Sequence, residues 1–264
     1  MSVVLSSIDE RGVATVTLNR PEVNNAYNAE VVAALLETFG ALTDDDTVRV
    51  IVIRGNGKHF QAGADLKWLA QIGQMDATTN LATSQRTATA VRALNEIQVP
   101  TIALVHGACI GGGTGIIAAA DIVIASRDAI FAISEARWGV FASVIFPQLN
   151  AAIGTRQVRR YAMTCERFDA DRAKFLGLVH EVCEPGELDQ TAAPLIDGIL
   201  KAGPNAVRDT KRSVMECAQE YMSDELYDHL VQQHADARQT AEAKEGFNSF
   251  IEKRDPSWYQ GSSD

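Results

Sequence analysis

The sequence predicts an α/β fold with a helical C-terminal region, and three observations support this prediction. The chain has 264 residues, of which 46% are hydrophobic, so it can bury a large core. In the first half, short apolar runs typical of strands alternate with segments of helical periodicity. After about residue 147, helical patterns dominate. We therefore assign the core to residues 1–200 and a separate helical region to residues 201–264.

The first elements follow from local patterns. VVLSSI and VATVTLN flank the turn DERG and predict a β-hairpin. Asn28 is placed to cap a helix. The apolar face of that helix recurs at helical spacing, at Val31, Leu35, Thr38 and Leu42. VRVIVIRG is then a continuous apolar run, which is typical of a strand buried on both faces.

The later elements alternate in the same way until the helices take over. The loop NGKHFQAGADLKWL enters a helix, and a polar helical region covers roughly residues 74–96. TIALVHG predicts a strand, the glycine run opens a short apolar helix, and DIVIAS and AIFAIS predict two more strands. Gly203-Pro204 predicts a helix start. An amphipathic stripe follows it, formed by Val207, Thr210, Val214, Cys217 and Tyr221.

Charge and composition exclude several classes of function. There are 34 acidic residues against 24 basic ones, a net charge of -10, which argues against binding to nucleic acids or anionic membranes. The four cysteines show neither CxxC pairing nor metal-ligand spacing. The N-terminus lacks the features of a signal peptide, and no apolar run is long enough to span a bilayer. We expect a cytoplasmic protein that binds no metal.

Two segments share the design of strand, small-residue loop and helix: VIRGNGKHFQAGADLKWL and IALVHGACIGGGTGIIAAA. A helix N-terminus presents unpaired N–H groups and a partial positive charge. Two such loops facing each other can aim two N–H donors at one oxygen, which is an oxyanion hole. Helix packing alone also explains a single glycine cluster. The GGGTG segment matches neither GxGxxG nor GxxxxGK[ST], so nucleotide binding is not predicted.

The motifs taken together resemble the enoyl-CoA hydratase/isomerase, or crotonase, family over nearly the whole chain. They are LNRPEVNNAYN, FQAGADLK, VHGACIGGGTGI, DIVIAS, FAISEARWGV, FLGLVHEV and the ending GFNSFIEKRDPSW. The resemblance implies a crotonase-like spiral of ββα units with a helical C-terminal trimerisation region. It also implies a homotrimer or a dimer of trimers, and a coenzyme A thioester as the substrate, with no cofactor.

The resemblance also implies a set of site residues. The two oxyanion N–H groups map to Ala62 and Gly112, and a side chain at Gly112 would obstruct the thioester carbonyl. The coenzyme A cradle maps to the loop around Ala26 and to Ala62–Leu66. The implied substrate-binding residues are Ala26, Ala62, Gly63, Ala64, Asp65, Leu66, Gly112 and Ser143.

The sequence departs from the family pattern at one catalytic position. Hydratases of the family hold a water between two glutamates, but Gly115 stands at the first position and only the second is present, as Glu135. A single carboxylate whose pKa is raised by burial can still act as the acid and base. Ser143 is a weaker candidate for orienting the water. The spare room at Gly115 is expected to hold a branched acyl group.

Several other residues near these motifs are possible site residues, and for the histidines among them we predict structural roles. His59 is expected on the surface, His106 as a partly buried histidine with satisfied hydrogen bonds, and His180 in a structural segment. Trp68 and Leu69 either line an acyl pocket or pack in the core.

The predicted reaction is addition of water to an α,β-unsaturated acyl-CoA. Glycine at the first glutamate position resembles bacterial 3-methylglutaconyl-CoA and isohexenylglutaconyl-CoA hydratases, in leucine or acyclic terpene catabolism. A distal carboxylate would need a cation, for which Lys67, Arg86 and Arg137 are candidates. A Δ3,Δ2-enoyl-CoA isomerase is the main alternative, because one glutamate can move a proton between carbons. A non-catalytic acyl-CoA-binding scaffold is the alternative from another class.

Overall fold

A computed structural model describes residues 2–218 and 240–261. Its larger sheet has six strands in the order β1-β2-β3-β4-β6-β9, and a smaller sheet has three in the order β5-β7-β8. The strands are β1 Val4–Ile8, β2 Val13–Leu18, β3 Val50–Gly55, β4 Thr101–Val105, β5 Ala108–Ile110, β6 Ile122–Ser126, β7 Ile130–Ala132, β8 Phe168–Asp169 and β9 Glu181–Cys183.

The helices of the described residues follow the same chain order. They are α1 Ala29–Asp44, α2 Leu66–Ile72, α3 Ala77–Glu96, α4 Gly112–Ala119, α5 Phe146–Ile153, α6 Thr155–Thr164, α7 Ala170–Leu176, α8 Leu188–Lys201, α9 Pro204–Cys217 and α10 Ala241–Glu252. Short 3-10 helices occupy Pro21–Val23, Glu135–Trp138 and Ser143–Ile145. Within the described ranges, no helix is both long and apolar enough to cross a membrane.

The larger sheet explains the continuous apolar strands. The predicted hairpin is confirmed, since β1 and β2 pair antiparallel with Val4 opposite Leu18. From β2 to β9 every pairing is parallel. Alternate side chains of β3 and β4 enter two separate cores, one containing Ile51 and Ala103 and the other Val52. Helix α8 packs on the β3, β4 and β6 side, so the central strands are buried on both faces.

The first helix begins as predicted. The Asn28 side chain accepts a hydrogen bond from the Val31 N–H at 3.0 Å and caps α1. Phe39, rather than Thr38, completes the buried face of this helix.

The sequence predicted helices after about residue 147, but the structure of this part of the chain also contains strands. Two short strands, β8 and β9, occur there, and β9 extends the larger sheet by pairing with β6. Strand β5 was missed too, because Gly107, at φ +56°, separates it from β4 and the chain crosses to the smaller sheet. Strands of two or three residues carry too little periodicity to be recognised.

Helix α9 of the C-terminal region contacts the rest of the chain through a partly buried ion pair. Helix α9 begins at Pro204, as Gly203-Pro204 predicted. Lys211 on α9 donates to Asp121 Oδ2 at 2.7 Å. Val214 of the amphipathic stripe is 63% exposed in the single chain. Tyr221 of the same stripe lies outside the described residues.

Candidate active site

A cavity of about 690 Å³ lies among α1 to α4 and the segment that follows β7. Its walls are mainly apolar, with side chains such as Leu35, Trp68, Leu94 and Ile116. Both glycine-rich loops and Glu135 line it. An apolar pocket with few polar groups is typical of a small-molecule site, and the polar groups indicate its chemistry.

The glycine triplet forms the start of α4 beside this cavity. Gly111 has φ +54° and stands at the N-cap, and its N–H donates to the Ala132 carbonyl at 2.8 Å. Gly112 is the first helical residue, and its N–H has no acceptor within the described part of the chain. A free N–H at a helix N-terminus, with the helix dipole behind it, favours a negatively charged oxygen.

The first glycine-rich loop offers a free N–H at Ala64. The Ala62 N–H, predicted as an oxyanion donor, is already bonded to the Asn24 carbonyl at 3.0 Å. Tyr27 forms a parallel bridge with Ala64, in which its N–H donates to the Gly63 carbonyl and its carbonyl accepts from Asp65, both at 2.9 Å. This pattern uses the neighbours of Ala64, whose own N–H has no acceptor among residues 2–218 and 240–261. Ala62 is therefore replaced by Ala64 as the candidate donor.

Glu135 lies directly after β7, in the short helix Glu135–Trp138. Its Oε1 lies 2.8 Å from where a Cβ on Gly111 would stand, so the carboxyl touches the glycine triplet. Its Oε2 is buried and has no hydrogen-bond partner in the described ranges. Burial raises the pKa of Glu135 above its ordinary value, although backbone hydrogen bonds partly oppose this. A buried carboxylate with a free oxygen is suited to take and return a proton.

The space that the side chain of the missing glutamate would need at Gly115 is filled by Ile145. A Cβ on Gly115 would lie 2.8 Å from the Cβ of Ile145, which is 2% exposed. The expectation that this room accepts a branched acyl group is therefore wrong, since Ile145 occupies it. A carboxylate at position 115 has no space in this packing.

Tyr27 is a site residue that the sequence interpretation missed. Its ring lies against Gly112, where a Cβ would come within 2.5 Å of Tyr27 Cε1. Burial, together with the nearby charge of Glu135, raises the pKa of Tyr27 to about 12. Gly112 thus needs bare backbone to accommodate this ring, a reason different from the predicted obstruction of the thioester carbonyl. Tyr27 lies in the NNAYN motif, which the sequence interpretation assigned to substrate binding only through Ala26.

Two of the predicted binding residues have other roles. Ala26 is buried and does not line the cavity; its N–H donates to Val23 and its carbonyl accepts from Arg20. Asp65 caps α2 by accepting from the Lys67 N–H at 3.1 Å, and it does not line the cavity either. Both residues hold the loops in place, and neither offers a free group to a ligand.

The remaining predicted residues do reach the cavity. Gly63, Leu66 and Ser143 line it, and so do Trp68 and Leu69. Gly63 has φ +90°, and its N–H is held by the Gln61 side chain at 2.9 Å. The pocket interpretation of Trp68 and Leu69 therefore holds.

The histidines have mostly structural hydrogen bonds. His59 is half-buried and lines the cavity rather than the outer surface, but its Nδ1 accepts from the Ala108 N–H at 3.0 Å. His106 is partly buried and its Nε2 contacts the Gly57 carbonyl at 2.9 Å, as predicted. His180 Nδ1 accepts from the Val123 N–H, which confirms its structural role. With these nitrogens engaged, Glu135 is the better candidate base.

Two arginines provide positive charge at the cavity. Arg137, one of the predicted candidates, lines it together with Arg167, which was not predicted. Lys67 and Arg86 do not line it. Neither Arg137 nor Arg167 has an ion-pair partner in the part of the chain that the structure describes. No group of histidine, cysteine and acidic side chains suited to a metal ion occurs among the described residues.

The chain is similar in sequence and fold to known proteins of one family. The sequence model of the enoyl-CoA hydratase/isomerase family matches residues 9–261. A trans-2-decenoyl-[acyl-carrier-protein] isomerase of Streptococcus mutans is 31% identical, over 96% of both chains. An enoyl-CoA hydratase of Mycobacterium tuberculosis is 30% identical, over 95% of both chains.

A solved structure agrees over almost the full length. An enoyl-CoA hydratase from Shewanella pealeana superimposes with a TM-score of 0.93 and 33% identity, over 97% of this chain and 96% of that one. The described fold is therefore a crotonase fold with a helical C-terminal region. The chain belongs to the enoyl-CoA hydratase/isomerase family.

Proposed function

We propose that the protein adds water across the double bond of an α,β-unsaturated acyl-CoA thioester. The observation that carries the proposal is the position of Glu135, whose Oε1 lies against Gly111 and whose Oε2 is buried without a partner among the described residues. The next residue, Gly112, has a free N–H. A base next to an oxyanion site is the arrangement that conjugate addition to a thioester requires. The names of several relatives, which include enoyl-CoA hydratases, support the same reaction.

The chemistry divides between backbone and side chain. The thioester oxygen accepts hydrogen bonds from the N–H groups of Ala64 and Gly112, which stabilise the negative charge that develops during addition. Glu135 takes a proton from water while the water oxygen bonds to the β-carbon. The same carboxyl then gives that proton to the α-carbon, so the enzyme ends the cycle unchanged and the substrate has gained one water.

The cavity also supports a substrate class. The acyl group meets apolar walls, and a carboxylate at its far end would be paired with Arg137 or Arg167, both of which lack an ion-pair partner among the described residues. We therefore favour an α,β-unsaturated acyl-CoA with a distal carboxylate, such as a glutaconyl-CoA, as the substrate.

A second candidate function is Δ3,Δ2-enoyl-CoA isomerisation. Ile145 excludes a second carboxylate at Gly115, and one carboxyl is enough to carry a proton between two carbons. The Streptococcus mutans relative is named an isomerase, which favours the same alternative. The two reactions share Glu135 and both N–H donors, and they differ in whether water attacks.

The test is a screen of coenzyme A thioesters with purified protein and mass analysis of the products. Hydration adds the mass of one water, whereas isomerisation leaves the mass unchanged and moves the double bond. We expect the largest kcat/KM for an enoyl thioester with a distal carboxylate, compared with the same thioester as its methyl ester. Products without added water would support the isomerase, and binding without turnover would support the scaffold.

A further inference from the structure

The Tyr27 hydroxyl has no assigned role, although it stands in the site. The Tyr27 ring lies against Gly112 and the Glu135 carboxyl lies against Gly111, so both side chains contact the same helix start. Within the described ranges the hydroxyl makes no hydrogen bond, and neither does Oε2 of Glu135. Two polar groups without partners thus share the α4 end of one cavity, where a small polar molecule could satisfy both.

The position of the Tyr27 ring is fixed by its surroundings. The main chain of Tyr27 is bonded on both sides of Ala64, to Gly63 and to Asp65, at 2.9 Å each. The ring meets the Trp68 ring in an edge arrangement, with centroids 5.6 Å apart and planes at 71°. The ring also lies in close contact with Gly112, which has no side chain. A group held in this way can position a ligand without losing much conformational freedom.

A water molecule that attacks a β-carbon needs a second hydrogen-bond acceptor besides its base. Its oxygen lone pair must face the carbon while its two hydrogens are directed elsewhere, so orientation requires two acceptors. Glu135 supplies one acceptor, and Ile145 fills the place where a second carboxylate would stand.

We propose that Tyr27 is a positioning residue whose hydroxyl oxygen accepts the second hydrogen of the water that Glu135 deprotonates. This inference rests on the proposed hydratase function. The water oxygen bonds to the β-carbon, one hydrogen passes through Glu135 to the α-carbon, and the other stays on the new hydroxyl group. Tyr27 neither gains nor loses a proton in the cycle. Its phenol, with a pKa of about 12, stays neutral at pH 7 and does not compete with Glu135 as a base.

Tyr27→Phe tests this role because it removes only the hydroxyl and keeps the ring that packs on Gly112. Two reactions are compared: hydration of the enoyl thioester, and exchange of α-hydrogens of the saturated thioester with deuterium from solvent. The exchange needs Glu135 and the N–H donors but no attacking water. We expect the hydration kcat to fall roughly 10- to 100-fold, with KM and the exchange rate within about twofold of the wild type.

The matched control is Tyr259→Phe, which removes a hydroxyl that bonds to Asp197 away from the cavity. Both rates should stay at the wild-type value in this variant. Equal losses of hydration and exchange in Tyr27→Phe would assign the hydroxyl a structural role and overturn the proposal. Normal hydration would also overturn it, while the hydratase function stands. A wild-type enzyme that hydrates no thioester would instead refute the function itself.

Discussion

Replacing Gly115 by alanine tests the packing that excludes a second carboxylate. The new methyl group would lie 2.8 Å from Ile145 Cβ, well inside van der Waals contact, in a core where Ile145 is 2% exposed. Overpacking of this kind costs about 1–3 kcal/mol, against a gain of at most about 1 kcal/mol from helix propensity. Ile145→Ala alone should cost about 2–5 kcal/mol, because it opens a cavity.

The double variant provides the decisive measurement. In Gly115→Ala/Ile145→Ala the Cγ2 and Cδ1 atoms of Ile145, which also lie against the added methyl group, are gone and only the Cβ contact remains. The methyl group can then shift into the vacated space, so the loss should be about 1–3 kcal/mol smaller than the sum of the single losses. The free energy of unfolding is measured in urea at a fixed protein concentration. Gly40→Ala is the control, since Gly40 is exposed on the outer face of α1 with nothing within 4 Å of its Cβ position, and it should be neutral or stabilising. Additive losses within about 0.5 kcal/mol would refute the contact.

Three further predictions concern the site and the assembly. Glu135→Gln should lower the hydration kcat about 100- to 10,000-fold. Because burial raises the pKa of Glu135, its ionisation weakens folding as pH rises through that pKa, so this variant should unfold at higher urea than the wild type at pH 7 and at the same urea at low pH. Gly112→Val should displace the Tyr27 ring and remove most turnover in a variant that still folds by circular dichroism. Light scattering at micromolar concentration should give the mass of a trimer or a hexamer, and a monomer would contradict this. We expect the subunit contacts of that oligomer to cover Val214, which is exposed in the single chain.

Local sequence patterns were sufficient to predict the helices and strands that have long apolar patterns. Strand β3 was predicted from a continuous apolar run, and the helix capped by Asn28 was predicted from apolar residues at helical spacing over several turns. Strands β5, β8 and β9 were not, because their two or three residues join a sheet only through partners distant in sequence. Local patterns cannot specify such pairings.

The site was predictable only as far as its motifs are local. Glu135 and Gly112 were located by their motifs, and both line the cavity. The choice between Ala62 and Ala64 depends on which N–H is used by Asn24, which only the folded loops determine. The room at Gly115 likewise depends on Ile145, thirty residues further along the chain by their numbering.

The glycines of α4 together explain how one helix start organises this site. Gly111 admits the Glu135 carboxyl, Gly112 the Tyr27 ring and Gly115 the Ile145 side chain, and each of these would be displaced by a Cβ. Three glycines among the eight helical residues, and a fourth at the N-cap, weaken the helix intrinsically, by about 1 kcal/mol per interior position. The packing of the three incoming side chains offsets that loss. The same bare backbone leaves the Gly112 N–H free, so a single glycine-rich segment brings the base, the phenol and the oxyanion donor together.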